Sequence, residues 1–538
     1  MSYRRNPIPN NVVLNSNILP QTKGKNLSTF NLSESLTTTM KFDYLYPLYW
    51  QELNPNDHFE ITVKSLGRLM PMVAPPMSNI KMKYFAFWVP NRLLWEHWVN
   101  FMGERTYQSS KTEYTVPQIN MKDKMNSVGQ LPDYLGVPPT EDRTTFSVSA
   151  LPFRAYNKIW NEWFRANQLQ PEVKEISADS GDVLSDYKLL KKGKPLDYFT
   201  SCLPSPQAGD GVSIGLTGNA SVLTTDRATQ LNIGYKGGTY FTDRGLMGID
   251  EGSDDKIDVF TEGQGKIAVG MYGNPTNLYA DLSAVTGITI NQLRYAAALE
   301  VLLEKDARAG ELYIDLMKEH FGTTVPDFLV GRSQFLGSTT TYVNTEPIAQ
   351  MSETAATPQG NLSAVGYAAE NEKLCEISAV EHGILMIMGC VTGDVTYQQG
   401  LDRKFSKVGR YDYMFPEFWN LGEQTVLNKE IYLAPDSEGG NDGIFGYQER
   451  YKELRTGINK ITGFMRSGVT DSLDVWHLAQ KFNNTPKLNS EFIQCDTPIN
   501  RILAAPGEDH LLLNVYWDIK ATRSLPVSAN PSLLAGRI

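Results

Sequence analysis

Histidine and cysteine are scarce in this 538-residue chain, and both shortages narrow its chemistry. The six histidines (His58, His97, His320, His382, His477 and His510) include no pair at metal-ligand spacing, so no metal site is indicated. The four cysteines, Cys202, Cys375, Cys390 and Cys495, form no C-x-x-C motif. That argues against a disulfide framework and for buried free thiols in a reducing compartment. Walker, H-E-x-x-H and G-x-G-x-x-G motifs are missing, and no catalytic signature is expected. No apolar run reaches about 18 residues and no apolar h-region follows Met1, so neither a membrane span nor a signal peptide is expected. Basic residues are outnumbered, 50 Lys and Arg against 60 Asp and Glu, for a net charge of −10. This disfavours a dedicated nucleic-acid binder, which needs excess cations for phosphates, and leaves room only for a local basic patch.

What is present suits strands and elaborate loops. Apolar residues make up 41% of the chain and charged ones 20%, enough to bury a large core. Aromatics reach 11%, and glycine and proline are plentiful, which fits a β protein better than a helical bundle. The stretch from Ser78 to Gly103 is the centre of the pattern. Ile80, Met82, Tyr84, Ala86 and Trp88 alternate first with lysines and then with Phe85, Phe87 and Val89. That predicts a strand running from a wet edge into a place buried on both faces. Pro90 ends it, and the spacing predicts one buried helix capped by Asn91 and Gly103, with His97 as a hydrogen-bonded core histidine.

Residues 1–27 lack any apolar period and predict an extended arm. Strands follow from Phe30 to Phe42 and over 59–64, and residues 104–148 read mostly as loop. Phe153, Tyr156, Trp160 and Trp163 recur at helical spacing over 149–168. Residues 208–287 are glycine-rich with short strand-like pieces, a β-rich surface insertion. Helices return over 289–321, opened by a Thr289/Gln292 capping box and interrupted at Gly310. Segments 381–392 and 510–527 predict long strands, the first apolar on both faces. Strands at both ends with helices only in the connections suit an antiparallel sandwich.

Two features invite a sharper reading. Glu162 between aromatics would suit a glycosidase, which needs a second opposed carboxylate; a paired helix residue explains it as well. DSEGGNDG, 436–443, lacks the spacing of an EF-hand loop and reads as turn chemistry. A β-rich carbohydrate-binding or carbohydrate-processing protein is therefore the competing class.

Longer segments carry a family signal. ALPFRAYNKIWNEWFR (150–165), DYFTSCLPSPQ (197–207), NQLRYAAALE (291–300), GYQERYKELR (446–455), DVWHLAQKF (474–482) and DIKATRSLPV (518–527) resemble the major capsid protein of the Microviridae, nearest its gokushovirus-like branch. LTTTMKFDYLYPLYWQELNPNDHFEI, 36–61, is similar to the family's first strands. The match spans most of the chain outside 208–288, and Gln334-Phe335-Leu336-Gly337 departs from a more acidic family pattern.

The resemblance implies a mainly β fold, a single eight-stranded viral jelly roll with large helix- and loop-containing insertions. Its core would be 28–207 and 288–538. It implies no enzyme activity and no cofactor, but pentamers assembling into a T=1 icosahedral shell around a circular single-stranded DNA genome, in a virion built in the bacterial host cytoplasm. The implied partners are an internal scaffolding protein, a DNA pilot protein, a small basic DNA-packing protein and a host-cell receptor. Tyr3, Arg4, Arg5, Lys23 and Lys25 of the arm are the candidate DNA contacts, the alternative being pairing with acids of a neighbouring subunit. Tyr235, Tyr240 and Tyr272 are the candidate host contacts on an insertion implied to gather at the three-fold axes, where decoration alone is the alternative.

Overall fold

The computed structural model describes residues 27–104, 113–121, 127–139, 145–209, 211–212, 289–310, 312–355, 357–435, 438–525 and 527; between 213 and 288 it describes only the backbone of short strands. The chain divides into two compact units, one from its start to Ala208 and from Glu304 onward, the other Gly209–Leu303.

Two antiparallel sheets build the first unit. Six strands form one: β1 (Ser28–Asn31), β2 (Glu34–Met40), β4 (His58–Leu69), β7 (Asn344–Ala349), β8 (Leu362–Ser378) and β10 (Leu511–Arg523). Their order is β1-β10-β4-β8-β7, with β2 beside β10 further along the same edge. Between β1 and β2 the chain kinks, and the Ile519 N–H donates to the Ser33 hydroxyl at 3.1 Å. The other sheet has four strands, β3 (Tyr46–Leu53), β5 (Ile80–Pro90), β6 (Gln334–Tyr342) and β9 (Gly383–Gly393), in the order β6-β5-β9-β3.

Strand β9 is buried at every position, as its sequence predicts, because it sits mid-sheet with both faces covered. Leu385, Ile387 and Val391 enter the core between the sheets. Ile384, Met386, Met388 and Cys390 enter a second core behind it. Strand β5 behaves alike: Ile80, Met82, Tyr84, Ala86 and Trp88 face the first core, Phe87 and Val89 the second. The expected two-sided burial holds, but the wet edge does not: Lys81 and Lys83 are only partly exposed, and β5 is paired with β6 on one side and β9 on the other.

Helix α1 (Leu151–Ile159) and the wider π turn after it, Trp160–Phe164, cover that second core. The Tyr156 hydroxyl donates to the Leu45 carbonyl at 2.8 Å, and Phe164 meets Phe85 and Phe87 edge-on. A third core under the long loops gathers Tyr198, Phe199, Tyr397, Phe445 and Phe492.

Three local expectations fail. The single helix over 91–103 is two separate turns, Asn91–Leu94 and Trp98–Phe101. Pro90, not Asn91, precedes the first, and Trp95 between them is extended. The cause is tertiary: the buried Trp95 indole N–H donates to Asp179 at 2.6 Å and the Glu96 N–H to the Ser177 carbonyl at 2.9 Å, pulling the backbone off helical geometry. The second turn then exposes Phe101 and Met102. His97 is not in the core; it is half-buried, 2.8 Å from Asp179 and stacked on Tyr114. The supposed loop 104–148 contains a hairpin, Gln118–Met121 with Phe146–Ser149.

Helix α2 (Ile290–Ala309) opens on the expected capping box. The Gln292 N–H donates to the Thr289 hydroxyl, and the Thr289 N–H to the Gln292 amide oxygen. Gly310 follows at φ +111°, and α3 (Tyr313–Phe321) ends at Gly322. In the second unit, Ser221–Thr224 pairs with Leu278–Asp281, Gly234–Tyr235 with Val269–Gly270, and Gly248–Glu251 with Ile257–Phe260. In sequence these three two-stranded ladders lie one inside another.

Candidate functional site

The buried polar groups of the described residues serve structure. Arg154 and Asp182 form a buried ion pair at 2.5 Å, and the guanidinium also donates to the Leu94 and Ala178 carbonyls. Glu162 accepts from the Ser333 N–H at 2.9 Å and lies 2.8 Å from the Lys158 ammonium, so the paired reading replaces the glycosidase one. All four cysteines are buried and free. Burial pushes the Cys375 and Cys495 thiols up to about 12 and raises Cys202 and Cys390 as well, which keeps them protonated and unreactive. No cluster among the described residues has the make-up of a metal site. Gly211-Val212-Ser213-Ile214-Gly215 does spell G-x-S-x-G, against the expectation of no catalytic signature. Ser213 lies outside the described residues, and the string carries no argument without the strand-turn-helix context of a nucleophile elbow.

The unusual chemistry is at the surface. Among the described residues of α2 only Ala307 is buried, while Ile290, Leu293, Tyr295 and Val301 are exposed; α3 buries none. A helix draws most of its stability from packing an apolar face, and among the described residues these faces have no such cover.

A second exposed region runs over 403–421 in three short 3₁₀ turns: Arg403–Phe405, Arg410–Asp412 and Pro416–Leu421. Val408 is 95% exposed and Trp419 68%, with Phe405, Tyr411, Tyr413 and Leu421 beside them in sequence. Cations stand over the rings: Lys407 over Tyr413 at 5.1 Å, Arg410 over Phe415 at 5.5 Å and Arg450 over Phe418 at 5.7 Å. The N–H groups of Gly409 and Val408 donate to Asp412, hold its carboxyl below the usual range and fix the loop. Aromatic and Arg-rich surface of this type is what interface cores use. Sequence reasoning missed it because the aromatics follow no helical or strand period.

Tyr3, Arg4, Arg5, Lys23, Lys25, Tyr240 and Tyr272 lie outside the described residues. Tyr235 ends a two-residue strand, its backbone opposite Val269.

A β-sandwich whose described chemistry is structural, and whose helices α2 and α3 and aromatic 403–421 loop are left uncovered among the described residues, defines a protein built to assemble. A family model described as Capsid protein (F protein) matches residues 20–533, and the chain belongs to that family. It is 36% identical to capsid protein VP1 of Chlamydia phage 1, over 94% of this chain and 95% of that relative. It is 38% identical to capsid protein VP1 of Bdellovibrio phage phiMH2K, over 91% and 92%. For capsid protein VP1 of Spiroplasma virus 4 the figures are 32%, 95% and 94%. The resemblance to Microviridae capsid proteins is borne out; this is a structural protein of phage virions, from a family that is not an enzyme family.

Proposed function

We propose that the chain is a single eight-stranded jelly roll that assembles through pentamers into a T=1 icosahedral shell around circular single-stranded DNA. The fold reading rests on strand order: β2-β10-β4-β8 in one sheet and β3-β9-β5-β6 in the other is what two rolled Greek keys leave, with β7 an added edge. The observation that carries assembly is the uncovered apolar surface of α2 and α3. Copies packed around symmetry axes would cover such faces and bury well over about 2,000 Å² per subunit, the obligate class. Cryo-imaging of purified particles tests this; a chain that stays monomeric under every assembly condition, with or without the internal scaffolding protein, sinks it.

Within that shell the arm, 1–27, reaches the genome through Tyr3, Arg4, Arg5, Lys23 and Lys25, by backbone charge and base stacking without a sequence code. A net charge of −10 leaves most phosphate neutralisation to the small basic DNA-packing protein. The 208–287 insertion contacts the host receptor through Tyr235, Tyr240 and Tyr272, and the DNA pilot protein acts on the same particle. Particles lacking the insertion that adsorb to host cells as well as intact ones would refute the receptor role.

A further inference from the structure

A cavity of about 630 Å³ opens beside the third core, within the roughly 300–1,000 Å³ range of small-ligand sites. Its walls bring Lys194, Lys481, Lys487 and Arg501 together with the acids Glu491 and Asp496. Asp496 is already held by Lys191 at 3.0 Å, and Arg501 is spent on the carbonyls of Asp474, His477 and Ala479. None of Lys194, Lys481 and Lys487 makes an ion pair among the described residues. In a chain of net charge −10, four cations against the two acids Glu491 and Asp496 around one hollow are a local reversal of sign.

Lys194 is the informative one. Its ammonium lies 4.2 Å from the Phe492 ring centroid and donates to the Gln480 amide oxygen at 3.0 Å. Burial lowers its pKa to about 8 against the opposing pull of Cys495, Asp197, Asp496 and Asp43, none of which reaches it as an ion pair, and an anion in the cavity would supply that direct partner. The remaining wall fits a nucleobase: Phe482 gives an apolar face, and the exposed amides of Asn483 and Asn484 give donors and acceptors.

We infer that this cavity takes one 5′-phosphorylated nucleotide unit of single-stranded DNA, its phosphate on Lys194, Lys481 and Lys487 and its base against Phe482, Asn483 and Asn484. The inference rests on the shell-around-DNA reading above and adds a site remote in sequence from the arm.

Calorimetric titration of the purified chain with deoxythymidine 5′-monophosphate, deoxythymidine and a short oligothymidylate tests it. The monophosphate and the oligomer bind, and deoxythymidine binds at least about tenfold more weakly, the scale of one lost charge-assisted contact. Lys194→Met keeps the aliphatic stem over Phe492 and loses about tenfold in monophosphate affinity. Wild-type affinity falls as pH rises through about 8, where Lys194 loses its proton, and the variant shows no such fall. Should Lys194→Met fail to fold, Lys487→Gln at an exposed position reads the same loss. Equal binding of nucleoside and monophosphate, or a folded Lys194→Met with wild-type affinity and pH profile, overturns the assignment.

Amine acylation of particles separates genome from neighbour. Protection of Lys194 in DNA-filled but not in empty particles supports the nucleotide, and equal protection in both puts another subunit over the cavity and overturns it. A wild-type chain that binds the monophosphate yet never closes shells would sink the assembly reading and leave this one standing.

Discussion

Trp517 and Tyr84 meet edge-on between the two sheets, their ring centroids 6.1 Å apart and their planes at 90°. Trp517 belongs to β10 and Tyr84 to β5, both fully buried, and Tyr49 of β3 lies 5.9 Å from the indole on another side. One ring pair thus ties the sheet containing the chain's last long strand to the sheet built from its middle. Trp517→Ala opens a cavity that the flanking strands cannot close, at a cost of about 3–5 kcal/mol. Denaturant unfolding followed by circular dichroism checks this, and Trp517→Phe should lose less.

The Arg154–Asp182 pair behaves differently from a surface bridge. Both side chains are almost wholly buried, and the Tyr187 hydroxyl also donates to Asp182. Asp182→Ala leaves a buried guanidinium with no counter-charge, costing roughly 3–5 kcal/mol. A double change, Arg154→Met with Asp182→Leu, removes both charges and should recover most of that loss in the same unfolding assay.

Much of this architecture was legible in the sequence, and the exceptions share a cause. Strands β5, β9 and β10 were readable because burial on one or two faces imposes a residue pattern that is visible along the chain itself. The capping box at Thr289 was readable because its partners are three residues apart. The break at Trp95 was not, because Asp179, which takes its indole N–H, is 84 residues away. Likewise the hairpin of Gln118–Met121 and Phe146–Ser149 is too short for alternation to stand out, though Ile119 and Met121 are fully buried. Of the candidate site, family likeness pointed to the arm and the insertion. The Lys194 cavity collects residues from two distant segments, 194 and 480–501, and no local pattern marks such a meeting.

Glycine at 389 reports how closely β9 packs. A Cβ there would come within 2.3 Å of the Leu48 Cδ1 and 3.1 Å of its Cγ. Gly389→Ala therefore overpacks a core, at about 1–3 kcal/mol. The obstructing atom is the end of a side chain, so Leu48→Val, which removes the δ-carbons, should rescue the glycine variant beyond additivity. Two single variants and the double, melted side by side, measure that coupling.

His510 links stability to pH. The Phe42 N–H donates to its Nδ1 at 3.0 Å, and burial, with Lys41 nearby and Asp509 opposing, lowers the imidazole pKa from 6.5. The fold thus prefers the neutral ring. Its contribution is complete above pH 6.5 and declines as pH falls below that value, because the unfolded chain takes up the proton first. His510→Gln retains a hydrogen-bond acceptor and removes the titration. The difference between wild-type and variant unfolding free energies should be flat above pH 6.5 and shrink below it; a constant difference would refute the linkage.

Trp419 separates folding from assembly. It is largely exposed on the 416–421 turn, in the same short segment as Val408 and Tyr411, and no described core includes it. Trp419→Asp should leave subunit stability within about 0.5 kcal/mol, as expected of a surface change. If the 403–421 loop is a subunit contact, the same change places an unpaired charge where an aromatic anchor was. It then costs about 2 kcal/mol or more per contact, roughly thirtyfold in that contact's equilibrium constant. Because a closed shell repeats the contact in every subunit, the loss compounds, and particles should disappear at concentrations where the wild type closes completely. Light scattering of assembly reactions beside thermal melting of the subunits reads both quantities. Normal shells from a normally folded variant would remove this loop from the interface.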